Sequence, residues 1–317
     1  MSVPAESVPA ASAAAELIAA PQEQPVLRAI LRGALTLLFR GLVRPPMPVA
    51  GQRLVIRLLT AAPVPNKGVT RTAEQIGGRP CEWHRPAASD GAVLLYLHGG
   101  AYLIGAPSTH RGICSSLARR AGLAVCALDY RLAPEHPFPA PLDDAVAAYR
   151  ELLARGYKRI FIGGDSAGGN LTLVTALRLR DLGLPTPAGL VCYSPVVDFT
   201  GEQMHTPPAG DPLIHRKWIE QAVELYCPSG IDRAQPLVSP INADLGGLPP
   251  VIIQVGEDEV LRNDSLRLAD KARAAGVNVT LERYAGLWHV FQAHVGMLRA
   301  ADRAMQSVVK FLKAQGA

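Results

Sequence analysis

The chain has 317 residues, 49% of them hydrophobic and 19% charged, which supplies a large core and excludes a disordered protein. A formal charge of +5 is small for this length and no Lys/Arg block stands out, so nucleic-acid binding is not indicated. Five cysteines, at 81, 114, 126, 192 and 227, form no C-x-x-C and suggest neither a disulfide framework nor a metal site; they read as reduced, buried thiols.

Residues 1 to about 25 are rich in Ala, Pro and Ser and are expected to be loose at the start. The first twenty carry Glu6 and Glu16 but no Lys or Arg, so the positive region of a signal peptide is missing. No 18-residue stretch is both apolar and free of charge, and a cytoplasmic protein without stable membrane insertion is expected. From Pro25 to Arg44, apolar residues at Val26, Leu27, Ile30, Leu31, Leu35, Leu38 and Leu42 recur at steps of three and four. This predicts an amphipathic helix, docked on its own protein in preference to a lipid surface, and ended by the RPPMP cluster at 44–48.

Short apolar runs bounded by Gly or Pro then predict buried parallel strands at Val93–Leu97, Ala124–Leu128, Ile160–Ile162, Leu190–Tyr193, Val251–Val255 and Val279–Leu281. Helical patterns alternate with them at Gly112–Arg120, Pro141–Ala154, Ala167–Leu182, Asp264–Ala275 and Met297–Ala314. Such alternation predicts an α/β fold with helices on both faces of a parallel sheet. Residues 200–245 break the rhythm with several prolines and read as an insertion above the sheet. The expected organisation is N-terminal cap helices over 1–50, a core over 51–199, a cap insertion over 200–245 and the rest of the core over 246–317.

The strongest local signal is G-x-S-x-G at Gly164, Asp165, Ser166, Ala167 and Gly168, with an apolar strand before it and a helix after it. That context is the strand-to-helix turn of a nucleophile elbow, with Ser166 exposed at the helix start and in need of an adjacent base. A second strand runs directly into His98, Gly99, Gly100, Ala101 and Tyr102. Successive glycines there let backbone N–H groups point into one cavity, and with the Ala167 amide they would form a three-donor oxyanion hole. His98 reads as structural, its ring holding the glycine loop.

A triad of this order needs an acid and then a histidine after the serine. His289 follows the last strand by a short loop, whereas His294 is expected on the final helix as a packing or surface residue. His110, His136, His205 and His215 stand upstream of the acid, in the wrong order for the base. Asp165 reads as a loop-holding acceptor, and Asp143 and Asp144 as helix caps or braces. Trp218, Tyr102 and Trp288 are candidates for lining an acyl pocket or for plain core packing.

With these motifs in hand, the chain resembles the hormone-sensitive-lipase-like esterases of the α/β-hydrolases, marked by H-G-G-G and G-D-S-A-G. The resemblance runs from about Val93 to Phe311 and includes the string YRLAPEHPFPAPLDD from Tyr130 to Asp144. It implies an α/β-hydrolase with a mostly parallel eight-stranded sheet and a helical cap. It also implies a serine carboxylesterase acting on short- to medium-chain acyl esters, with no metal or cofactor and with a homodimer as one possible assembly. Carried over, the nucleophile falls on Ser166, the base on His289 and the oxyanion amides on Gly99, Gly100 and Ala167. Two departures stand out. Ala101 replaces the third glycine, and the family's D-P-L-x-D aligns without a gap on Glu259–Val260–Leu261–Arg262–Asn263. Glu259 is therefore the expected acid, with Asp258, one residue away, as the alternative. A lactone hydrolase with the same triad, and a non-catalytic ligand receptor on the same fold, are the competing readings.

Overall fold

The computed structural model describes residues 16–18, 23–60, 68–89 and 91–317. Its centre is a nine-stranded sheet in the order β1-β9-β8-β7-β6-β4-β5-β3-β2. The predicted strands appear as β4 (Ala92–Leu97), β5 (Ala124–Leu128), β6 (Arg159–Asp165), β7 (Leu190–Tyr193), β8 (Val251–Gly256) and β9 (Val279–Tyr284). All six pair in parallel with their neighbours among themselves. Every β4 residue is fully buried, which is why the run carries no polar alternation.

Alternate β4 residues serve two cores. Val93, Leu95 and Leu97 join the apolar cluster of α4 (Ala140–Ala154), α5 (Ala167–Asp181) and α7 (Arg262–Ala274). Ala92, Leu94 and Tyr96 face α3 (Arg111–Ala121) and α8 (Arg299–Ala314) on the other side. Burial of each such large side chain contributes roughly 1.5–3 kcal/mol, so the two faces together lock the strand register. All five cysteines are buried and free.

Two strands at the far edge escaped the sequence reading. β2 (Val69–Ile76) and β3 (Arg79–Pro86) form an antiparallel hairpin, and β3 joins β5 antiparallel. Their burial is mixed, and β2 carries Arg71 and Glu74, because an edge strand keeps one face in water. At the other edge, Glu16–Ile18 forms β1, parallel to β9, within a segment expected to be loose. Residues 1–15 and 19–22 lie outside the described residues.

The predicted N-terminal helix is α1 (Pro25–Leu35), continued by a π-helical turn over Thr36–Leu42. Pro25 sits at its first position, where a fixed φ and a missing N–H cost nothing. A second helix, α2 (Val49–Leu59), crosses the expected boundary at residue 50. Residues 200–245 hold α6 (Arg216–Tyr226) and a short 3-10 turn at Pro240–Asn242. Among the described residues no helix is long and apolar enough to cross a membrane.

The registers Leu97↔Gly164 and Gly256↔Tyr284 bring the carboxyl ends of β4, β6, β8 and β9 to one rim of the sheet. Open α/β sheets bind ligands at that rim, and the segments leaving it carry Gly99, Gly100, Ser166, Glu259 and His289.

Candidate active site

Ser166 stands between β6 and α5 with φ 54 and ψ −117, a conformation that L-residues rarely adopt. The turn is held by its own backbone. The Ser166 N–H donates to Tyr193 O at 2.8 Å, and its carbonyl accepts from Asn170 N at 3.0 Å. Such a turn needs glycine at close approaches: a Cβ on Gly168 would land on the Leu97 carbonyl oxygen, and one on Gly164 would meet the same atom. Gly168→Ala is accordingly expected to destabilise the fold by roughly 1–3 kcal/mol and to displace the elbow, read as a lowered Tm together with lost turnover.

His289 and Glu259 reach the site from different strand ends. His289 Nδ1 lies 3.2 Å from Glu259 Oε1, so the ring N–H donates to the carboxylate and Nε2 is left as the acceptor nitrogen. Glu259 is fully buried. Its Oε2 accepts from the Gly256 amide at 2.9 Å and from Ser194 Oγ at 2.8 Å. Burial alone would push the His289 pKa down, but the bond and charge of Glu259 overcome it and raise it above 6.5. Asp258, the alternative acid, turns away and pairs with Arg32 at 3.4 Å. Adjacent residues on one turn thus end on opposite sides of the loop.

Ser194 was missed by the sequence reading. It follows β7 with φ 47, donates to Glu259 and accepts from the Val290 amide at 3.4 Å. Its signal was positional only: a polar residue directly after an apolar strand and before Pro195.

The glycine loop requires a correction. Gly99, expected to offer its amide to an oxyanion, donates it to Asp165 Oδ1 at 3.1 Å. That N–H is engaged in bracing the loop against the elbow. The chain then turns through Gly100 (φ 119), Ala101 (φ 57) and Tyr102 (φ 59). The left-handed conformation costs Ala101 about 1–2 kcal/mol, the strain that its Cβ implied. A Cβ on Gly100 would strike the Ile104 carbonyl, so glycine is required there.

Asp165 is indeed a loop-holding acceptor, within a network larger than its neighbours in sequence disclose. It accepts from Tyr96 Oη at 2.7 Å and from His110 Nε2 at 3.2 Å. Burial opposes charge on both partners, yet their mutual attraction raises the His110 pKa and lowers that of Asp165. His110, set aside by chain order, therefore enters the site as an anchor.

His98 holds the loop as expected. Burial, then the nearby His110, depresses its pKa to about 3; the neutral ring donates Nδ1–H to Gly99 O at 2.9 Å and stacks on Tyr130 at 4.2 Å. Asp144 braces rather than caps, gripping Arg131 through its amide at 2.8 Å and its guanidinium at 2.7 Å. Asp143 lies in the first turn of α4, whose N-cap position is Pro139. His294 sits in a 3-10 turn (Phe291–His294) before α8, not on that helix, where burial lowers its pKa to about 4.

Two apolar cavities meet at Ser166. One, of about 250 Å³, is lined by Gly100, Ser166 and His289 together with Leu38, Phe39 and Ile56 of the N-terminal helices. The other, of about 70 Å³, lies between Ala101, Ser166 and Ala167 on one side and Phe199, Trp218 and Leu261 on the other. Tyr102 and Trp218 thus line pocket wall, whereas Trp288 is buried in a separate apolar cluster with Tyr284 and Phe291.

The architecture has close counterparts. A family profile described as "alpha/beta hydrolase fold" matches residues 94–293. An "Acetyl-hydrolase" of Streptomyces hygroscopicus is 43% identical over 242 residues, covering 75% of this chain and 81% of that protein. An "Esterase" of Acinetobacter venetianus is 37% identical, covering 71% of this chain and 75% of its own length. The crystal structure of an esterase from the bacterial hormone-sensitive lipase family superposes with a TM-score of 0.86 at 37% identity, covering 92% of this chain and 99% of that one. Profile, sequence and superposition agree with the strand order and with the loops at the sheet rim: the chain belongs to the α/β-hydrolase family, in its hormone-sensitive-lipase-like esterase branch.

Proposed function

We propose that the chain is a serine carboxylesterase that hydrolyses short- to medium-chain acyl esters through an acyl-enzyme. The observation carrying this reading is that Ser166, on its strained elbow, and His289, bonded to the buried Glu259, line one apolar cavity. His289 Nε2 takes the Ser166 proton as Oγ attacks the ester carbonyl. The oxyanion goes to the amides of Gly100, Ala101 and Ala167, since the Gly99 amide already serves Asp165. Each such donor is worth roughly 3 kcal/mol in the transition state. The imidazolium, steadied by Glu259, then protonates the leaving alcohol, and water repeats the sequence to release the acid.

His289 must pass its proton to the alcohol, so the alcohol portion belongs in the cavity that His289 lines. The acyl portion falls to the smaller cavity behind Ala101 and Ala167, closed by Phe199 and Trp218. A p-nitrophenyl ester series should therefore give its highest kcat/KM at acetyl to hexanoyl and fall at least about tenfold by dodecanoyl, as uncompensated overpacking predicts. Undiminished kcat/KM at dodecanoyl would overturn this assignment of the cavities, and a lactone panel run alongside tests the competing substrate class.

A further inference from the structure

We propose that the outer face of the N-terminal helices docks the protein on an anionic lipid surface. From residue 25 to residue 60 the chain carries six arginines and no aspartate or glutamate. The structure orients this segment in an unusual way. Arg28 bonds the carbonyl of Gly286, Arg32 those of Ala209 and Gly210, Arg40 that of Asp211 at 2.8 Å, and Arg53 that of Ala133 at 2.7 Å. Four of the six cations thus tether the segment to the rest of the protein, Arg32 and Arg40 to the 200–245 insertion and Arg28 and Arg53 to loops of the core.

Leucines at 27, 31 and 35 pack inward beside those tethers, while Ile30 (62% exposed) and Leu37 (76%) stand outward. On α2, Leu54 and Leu58 (68%) are exposed in the same way. Of the nine large hydrophobic residues most exposed among the described residues, seven lie between Val26 and Leu59. Soluble surfaces rarely gather apolar groups so densely without a binding role.

Charge selects the occupant. Arg44 and Arg57 remain exposed on this segment, which holds no carboxylate of its own; Asp129, after β5, is the acidic neighbour of Arg57. Two copies meeting through it would bring like charges together, whereas apolar side chains flanked by arginine suit the headgroup boundary of an anionic bilayer. Both helices also line the cavity containing Ser166, through Leu38 and Phe39 on one side and Ile56 and Leu59 on the other. Docking would set the mouth of that cavity against the lipid. The inference concerns binding and stands independently of the catalytic reading.

The test is co-sedimentation of the full chain with vesicles of equal parts phosphatidylcholine and phosphatidylglycerol, against phosphatidylcholine alone. Partitioning should favour the anionic vesicles by roughly thirtyfold, the factor two juxtaposed arginines contribute, and should fall as salt is added. The variant Ile30→Ser/Leu37→Ser/Leu54→Ser/Leu58→Ser should stay in the supernatant and still hydrolyse soluble p-nitrophenyl butyrate at the parent rate. Equal binding to both vesicle types, no binding to either, or unchanged binding by the folded variant would overturn the proposal. So would a lipid-free dimer in sedimentation velocity that the four substitutions abolish, since the face would then join two copies of this chain.

Discussion

Ser166→Ala should lower kcat for p-nitrophenyl butyrate by on the order of 10⁵-fold while leaving the fold intact. The expected size follows from the unit character of a serine–histidine pair: without the hydroxyl there is no acyl-enzyme, and the remaining rate comes from the oxyanion donors and binding. The fold should persist because the Ser166 side chain caps nothing in α5, and the backbone bonds to Tyr193 and Asn170 do not involve Oγ. Alanine bears the same cost as serine at φ 54, so stability should change by less than about 1 kcal/mol. The parent protein should also release p-nitrophenol in a burst equal to the enzyme concentration when deacylation is the slower step. A folded Ser166→Ala protein hydrolysing at the parent rate would remove the nucleophile from the proposal.

The second large effect separates two neighbouring carboxylates. Glu259→Gln should reduce kcat by roughly 10⁴-fold, the magnitude seen when an amide replaces a triad acid and stabilises the wrong tautomer of the histidine. Asp258→Asn should change kcat by less than about threefold, because Asp258 faces Arg32 in a pair that is about a quarter exposed. The pH profile supplies a second readout. Catalysis needs neutral His289, so kcat/KM should climb with pH through a midpoint above 6.5, the direction in which Glu259 shifts the ring. In Glu259→Gln the raising charge is gone and burial prevails, so the residual acid limb should move to lower pH. Retained activity in Glu259→Gln with loss in Asp258→Asn would reverse the assignment.

Gly99 illustrates how a motif can be recognised and its atoms still be misassigned. Two glycines after a strand end announce a loop that points amides at one cavity, but not which amide serves the ligand. That depends on Asp165, sixty-six residues later in the chain, whose carboxylate takes the first amide and leaves the next ones in the turn. The same carboxylate draws in His110, which chain order had set aside and which the fold places as an anchor of the loop. Ser194 likewise becomes visible only when β7 lies beside β8 and its hydroxyl meets Glu259.

The parts readable from the linear chain were those in which the physics is local. A strand buried on both faces must be continuously apolar, an elbow must have glycine where backbones nearly touch, and an amphipathic helix must repeat every three to four residues. β4 to β9, the Ser166 turn and the helix after Pro25 were legible for that reason. Tertiary structure decided whatever depends on direction in space: which of two adjacent carboxylates points inward, which amide is free, and which side of α1 faces water. A polypeptide turn can send neighbouring side chains to opposite sides at little energetic cost, so spacing along the chain carries no record of the choice until the packed sheet rim imposes it.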